Sequence, residues 1–121
     1  MPAAVDHVQL AAPPGTEDLL RAFSDDVLGM TEIPKPSALA ARRGCWFAAG
    51  AVQLHLGIEP GLLPSREAHP GLRVTGIEAF AARPERHGVR ITWDDALPGH
   101  HRFRALDPVG NRLEGRAPGR E

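Results

Sequence analysis

The sequence has no tyrosine and one cysteine, and its basic residues are almost all arginine. A lone Cys45 cannot staple a secreted fold, so a small buried hydrophobe is its expected role and a reducing cytoplasm the expected compartment. No apolar run approaches the ~20 residues that span a bilayer. The opening MPAAVDHVQL lacks the basic and apolar stretches of a signal peptide. Excess charge is missing too: 14 Lys plus Arg stand against 15 Asp plus Glu. No global field then favours nucleic acid or an anionic membrane, and neither is an expected partner. What is present is a 121-residue chain, enough for one compact domain, with 42% hydrophobic residues to build its core. Twelve Pro and thirteen Gly imply many turns and short, strand-rich elements.

Alternation of Val5, Val8 and Leu10 with Asp6, His7 and Gln9 predicts a strand over 5–11, stopped by Pro13-Pro14-Gly15. Thr16 is positioned to cap a helix whose Leu19, Leu20, Phe23 and Val27 share a face, and Gly29 suits its C′ position. A short strand over 30–33, a helical turn over 37–41 and a hairpin of 44–49 with 51–56 complete a first module, about 4–57. The Pro- and Gly-rich residues 58–67 read as a linker.

The same order then returns over about 68–115. A strand at 69–74 leads to a Thr75/Glu78 capping box, a helix with Ile77, Phe80 and Ala81 buried, and a Gly88 stop. Strands at 89–93 and 101–106 follow, then the Asp107–Asn111 turn and a last strand at 112–115. Pro84 predicts a kink or break in the second helix, and residues 116–121 read as a disordered tail. His7 and Leu10 recur at His69 and Leu72, a shift of 62, while Gln53-Leu-His-Leu-Gly57 meets Arg112-Leu-Glu-Gly115 at a shift of 59. Two copies of strand–helix–three strands make an α+β chain of two βαβββ modules.

The shifts place four metal-capable side chains at equivalent positions: His7 and His69 on first strands, His55 and Glu114 on last strands. Every second strand residue shares a face, so His7 goes with Gln9, His55 with Gln53, His69 with Gly71 and Arg73, and Glu114 with Arg112. These faces are polar, and the residues between them are apolar. Three imidazoles and a carboxylate suit Zn²⁺, Ni²⁺, Fe²⁺ or Mn²⁺ without choosing among them. Arg73, Arg104 and Arg112 are candidate grips for a carboxylate or phosphate, and Trp46 or Trp93 offers a surface for a planar ligand. His87, His100 and His101 read as helix-end and loop residues.

The stretches Asp6-His7-Val-Gln-Leu10, Gln53-Leu-His-Leu-Gly57, His69-Pro-Gly-Leu-Arg73 and Asp107-Pro-Val-Gly-Asn-Arg-Leu-Glu114 resemble those of the vicinal oxygen chelate superfamily, the glyoxalase/bleomycin-resistance/dioxygenase type. The resemblance covers nearly the whole chain and is most specific in its closing stretch. It implies paired modules in an open, eight-stranded, barrel-like cup with helices outside, often holding a divalent metal and often dimeric. It also implies metal ligands at His7, His55, His69 and Glu114, with Glu114 as catalytic base and Gln9, Gln53, Trp46, Arg73, Arg104 and Arg112 facing a small-molecule substrate. The chemistry implied is that of a metal-dependent lyase or isomerase acting on vicinal oxygens. A metal-free drug- or metabolite-binding protein is the alternative, and an extradiol-type dioxygenase ranks below both because such enzymes often use a tyrosine. The chain departs from glyoxalase-like sequences at His55, where a carboxylate is usual, and at Phe23-Ser24, where Phe-Tyr is common.

Overall fold

The alternation that starts at Val8 becomes strand β1 (Val8–Ala12), and Pro13-Pro14 ends it by removing two amide donors. Helix α1 (Glu17–Ala22) follows and widens into a π-helical segment over Phe23–Val27, where the Leu28 N–H reaches the Phe23 carbonyl. Strands β2 (Thr31–Ile33), β3 (Cys45–Ala49) and β4 (Val52–Ile58) complete the first unit. The second contains β5 (Gly71–Arg73), α2 (Ile77–Arg86), β6 (Ile91–Asp94), β7 (His100–Leu106) and β8 (Arg112–Pro118). The computed structural model describes residues 1–119 and divides the chain into compact units, Met1–Leu63 and the residues from Pro64 onward.

Each unit is one four-stranded sheet with the same wiring, β1-β4-β3-β2 in the first and β5-β8-β7-β6 in the second. In both, the first strand runs parallel to the last, and the other pairs are antiparallel. The repeat holds at single-residue register. Gln9 pairs with His55, and Gly71, 62 positions on from Gln9, pairs with Glu114, 59 positions on from His55. The chain is thus α+β, built of two βαβββ modules as its sequence predicts.

Apolar residues at alternate positions close each core. Leu20, Phe23 and Val27 of the helical segment are buried, as are Cys45, Phe47, Leu54 and Leu56 of the first sheet. In the second module Ile77 and Ala81 of α2 cluster with Phe103 and Ala105, and Val74, Phe80 and Ile91 pack around them. No helix among the described residues is long and apolar enough to cross a membrane.

Several local expectations are corrected. Thr16 is the N-cap as expected, but its hydroxyl donates backward to the Pro13 carbonyl at 2.7 Å and makes no capping bond, because its backbone at ψ 4° lies outside the extended region that aims a cap oxygen at the first-turn amides. The Thr75/Glu78 box does not form: Gly76 is the N-cap, in the left-handed region at φ 61°, which moves the helix start by one residue and breaks the box spacing. Pro84 neither breaks nor ends α2, which continues to Arg86. Lying in the last turn, it leaves just the end of the helix without an amide donor. Val89 N–H then bonds the Pro84 carbonyl and Gly88 N–H the Glu85 carbonyl, a Schellman closure made possible by Gly88 at φ 74°. His7 and His69 precede β1 and β5 instead of lying within them, and His100 and His101 belong to β7 instead of a loop. Residues 116–118 extend β8 and are not a disordered tail, since they pair with 100–102; residues 120–121 lie outside the described residues.

Candidate functional site

In module one the parallel β1–β4 register sets Gln9 beside His55, and the antiparallel β3–β4 register sets Trp46 on its other side. Paired strand positions share a face, so the three side chains share a surface. His55 is 4% exposed. Its ring lies on the Trp46 indole, centroids 3.9 Å apart and planes 4° from parallel. The His7 ring stacks with it as well, 4.1 Å away at 15°. His55 Nε2 donates to Gln53 Oε1 at 3.0 Å. Burial first, and the neighbouring His7 second, push the His55 pKa below its ordinary 6.5. The ring is therefore neutral at physiological pH, with its free lone pair on Nδ1. His7 is arranged the other way: Nδ1 donates to Asp6 Oδ1 at 3.0 Å, which leaves Nε2 as the nitrogen with the lone pair in the neutral ring. Gly57 leaves room for Gln9 beside this group, because a Cβ there would come 2.6 Å from Gln9 Nε2 and displace the end of that side chain.

In module two Glu114 sits at the middle of the sheet and is 4% exposed. The alternation of β8 puts Arg112, Glu114 and Arg116 on one face, and the β7 and β5 registers add Arg102, Arg104 and Arg73 to it. Glu114 Oε2 accepts from Arg116 Nε at 3.1 Å. Oε1 lies 3.4 Å from Arg102 Nη1 and 3.7 Å from His69 Nε2. Two guanidiniums thus supply the opposite charge a buried carboxylate requires. Gly71 leaves room for it, since a Cβ would stand 3.3 Å from Oε2. Asp94 accepts from Arg102 Nη2 at 3.2 Å and lies 3.8 Å from Arg104. The Ala96 amide chiefly, and these arginines next, hold its carboxyl below the usual range. Arg112 is tied to the Arg66 carbonyl at 2.8 Å, and the buried Nε atoms of Arg102 and Arg112 have no hydrogen-bond partner.

His69 decides what this group can bind. Its Nδ1 lies 2.6 Å from the Glu67 carbonyl, which can accept but not donate, so the proton is on Nδ1. Nε2 faces the Glu114 carboxylate oxygen, and in the neutral ring it is the nitrogen that carries the lone pair. Metal-bound histidines typically show this arrangement, the far N–H donated to a carbonyl or carboxylate, and His7 has it as well. Two donors about 2.1 Å from one tetrahedral ion would be roughly 3.4 Å apart, close to the 3.7 Å found. The pair fits a divalent cation. His55 fits less well, because Nε2 is spent on Gln53 and the ring is held between two others. Among the described residues no three His, Cys, Asp or Glu side chains form a metal-holding group.

Within module one the structure brings together His7, Gln9, Gln53, His55 and Trp46, and within module two His69, Arg102, Glu114 and Arg116. Arg73 and Arg104 share the sheet face of the second group without touching Glu114. Trp93 is a packing residue of the second sheet. It pairs with Phe103 on the opposite face of the second sheet and stacks on His101, 4.2 Å away at 7°. His101 bonds Asp95 at 2.6 Å and is likewise turned away from Glu114. Asp94 and Arg116 are the residues that sequence reasoning missed. Arg116 was legible in principle, as the next member of the period-two series Arg112, Glu114. Cys45 is buried, which raises its thiol pKa, in keeping with an inert core position.

No protein-family model matches the chain, and no curated protein does. Solved structures do. A Bacillus anthracis protein assigned to the glyoxalase family shares 40% identity, covering 98% of both chains, with a TM-score of 0.94. A variant of the genomically encoded fosfomycin resistance protein of Listeria monocytogenes, complexed with Mn(II) and a dihydroxypropylphosphonic acid, shares 14% identity over 98% of this chain and 95% of its own, with a TM-score of 0.79. An antibiotic binding protein from a Streptomyces shares 20% identity over 97% and 99%, with a TM-score of 0.72. These last two are alike in fold alone. At 40% identity along nearly the full length of both chains, with matching module wiring, this chain belongs to the glyoxalase family of the vicinal oxygen chelate superfamily.

Proposed function

We propose that the protein is a divalent-metal-dependent lyase or isomerase of the glyoxalase type, acting on a small substrate with neighbouring oxygens. The observation that carries this reading is the His69–Glu114 pair, an imidazole nitrogen and a carboxylate oxygen facing each other at 3.7 Å with the opposite imidazole nitrogen already bonded to a carbonyl. His69 Nε2 and Glu114 Oε1 would hold the ion in module two, and His7 Nε2 is an imidazole donor within module one. His55 acts here as an aromatic support for His7, with Nδ1 as its remaining donor. A bound ion would polarise the substrate oxygens and stabilise the negative charge that develops on them. Released from the ion, Glu114 would take and return the proton at Oε1, while Arg116 steadies the carboxylate through Oε2. The remaining arginines of that face, Arg73, Arg104 and Arg112, orient an anionic substrate group through forked N–H donors.

The Listeria relative, complexed with Mn(II) and a vicinal diol, agrees with this chemistry by analogy of fold. Homodimerisation is part of the proposal, in keeping with the family. A second reading, a metal-free binding protein, is favoured by one observation: Glu114 is already matched by two guanidiniums at 3.1 and 3.4 Å, and the Streptomyces relative is an antibiotic binder.

Elemental analysis separates the two. Protein purified without a His tag and incubated with Zn²⁺, Ni²⁺, Mn²⁺ and Fe²⁺ retains one of them after gel filtration, and His69→Ala and Glu114→Ala each lose it. Wild-type protein that stays metal-free in all four would overturn the enzyme reading and leave the binding protein.

A further inference from the structure

In module one a cavity of about 310 Å³ opens beside the Trp46–His55 stack, lined among others by Gln9, Lys35, Arg42, Arg43, Trp46 and Gly57. Three of these residues are cationic, and no carboxylate lines the cavity. Lys35 Nζ donates to the main-chain carbonyls of both Arg42 and Arg43, which closes the 35–43 segment into a loop. The clasp uses carbonyls, so both guanidinium forks remain available. One indole face of Trp46 is taken by His55, yet the residue stays partly exposed and borders the cavity.

We propose that this cavity binds the acidic end of an anionic ligand with a flat apolar body. Arg42 and Arg43 grip a carboxylate, phosphate or sulfonate, and the body lies along Trp46. Guanidinium forks match planar oxyanions bidentately, and a bordering aromatic surface strengthens them by excluding water. The missing Cβ at Gly57 keeps Gln9 in place at the wall of the cavity. The proposal rests on the small-molecule reading of the His7–His55 group and narrows its substrate class to acids, but it does not need the metal.

Calorimetric titration with phenyl phosphate, benzoate, inorganic phosphate and the neutral benzyl alcohol tests it. Both aromatic acids bind, inorganic phosphate binds more weakly, and benzyl alcohol is weaker than benzoate by about tenfold or more. Arg42→Ala/Arg43→Ala weakens every anion by a similar factor. Arg86→Ala/Arg90→Ala, which removes the same charge from exposed positions in module two, leaves binding unchanged. Carboxylate and phosphate arms tell the two acid types apart. Equal binding of benzoate and benzyl alcohol, unchanged binding by the Arg42/Arg43 variant, or no binding of any probe overturns the proposal. Metal content of the wild type is measured in parallel, so failure of the metal reading shows as metal-free protein that still binds the aromatic acids.

Discussion

The imidazole of His55 lies on the indole of Trp46, ring centres 3.9 Å apart and planes 4° from parallel, with the His7 ring on its other side. His55 thus works as the middle ring of an aromatic stack. The neutral form of the ring is the one that burial favours.

That preference makes stability depend on pH in a defined direction. The folded-state pKa of His55 lies below its unfolded value of about 6.5, so the unfolded chain binds the proton more readily. Its contribution is complete above 6.5 and is lost as pH falls through the folded value. His55→Phe keeps a flat ring without a titrating nitrogen. Urea unfolding between pH 7.5 and 5 therefore shows a steeper loss of stability in the wild type than in His55→Phe, and equal slopes would contradict the assignment.

Removing the carboxylate of Glu114 leaves Arg102 and Arg116 facing each other's charge. Breaking a fully buried pair costs about 3–5 kcal/mol, but both arginines keep partial solvent contact, so Glu114→Ala costs about 2 kcal/mol. Glu114→Gln, which preserves an acceptor, costs less. The comparison is read from denaturant midpoints at constant m-value.

Gly115 is a packing position. A Cβ there would stand 2.6 Å and 2.8 Å from two ring atoms of Phe103, which is 3% exposed in the second core. Gly115→Ala destabilises by about 1–3 kcal/mol through overpacking. Gly57→Ala meets the movable end of Gln9 instead. It leaves thermal stability nearly unchanged while altering ligand binding in module one, as measured by titration.

Asp107 organises the turn between β7 and β8. Oδ1 accepts from the amides of Val109 and Asn111 at 3.0 and 2.8 Å, and Oδ2 accepts from Asn111 Nδ2 at 2.8 Å. Asp107→Ala strands these donors, and the Asn111 pair is buried, so a loss of about 2–3 kcal/mol is expected in equilibrium unfolding. Because β8 carries Glu114 and Arg116, anion or metal binding in module two weakens in parallel. Unchanged stability would mean that water replaces the carboxylate.

Much of the fold was legible in the chain because it rests on local periodicity and on repetition. Alternating residues marked the strands, Gly29 and Gly88 marked the helix ends, and the shifts of 62 and 59 anticipated the pairing of Gln9 with His55 and of Gly71 with Glu114. Side-chain capping was misread at Thr16, whose backbone at ψ 4° does not aim the hydroxyl at the first-turn amides, and at Thr75, where a glycine able to adopt φ 61° moved the helix start by one residue. The choice of which side chains touch was not local at all. Trp46 meets His55 through a hairpin, and Arg102 meets Glu114 across the β7–β8 register. The sequence by itself determined the module, its repetition and the four donor positions, since these follow from period and spacing. Tertiary structure alone decided that His55 stacks while His69 faces Glu114, because ring contact and hydrogen-bond direction depend on which strands lie side by side.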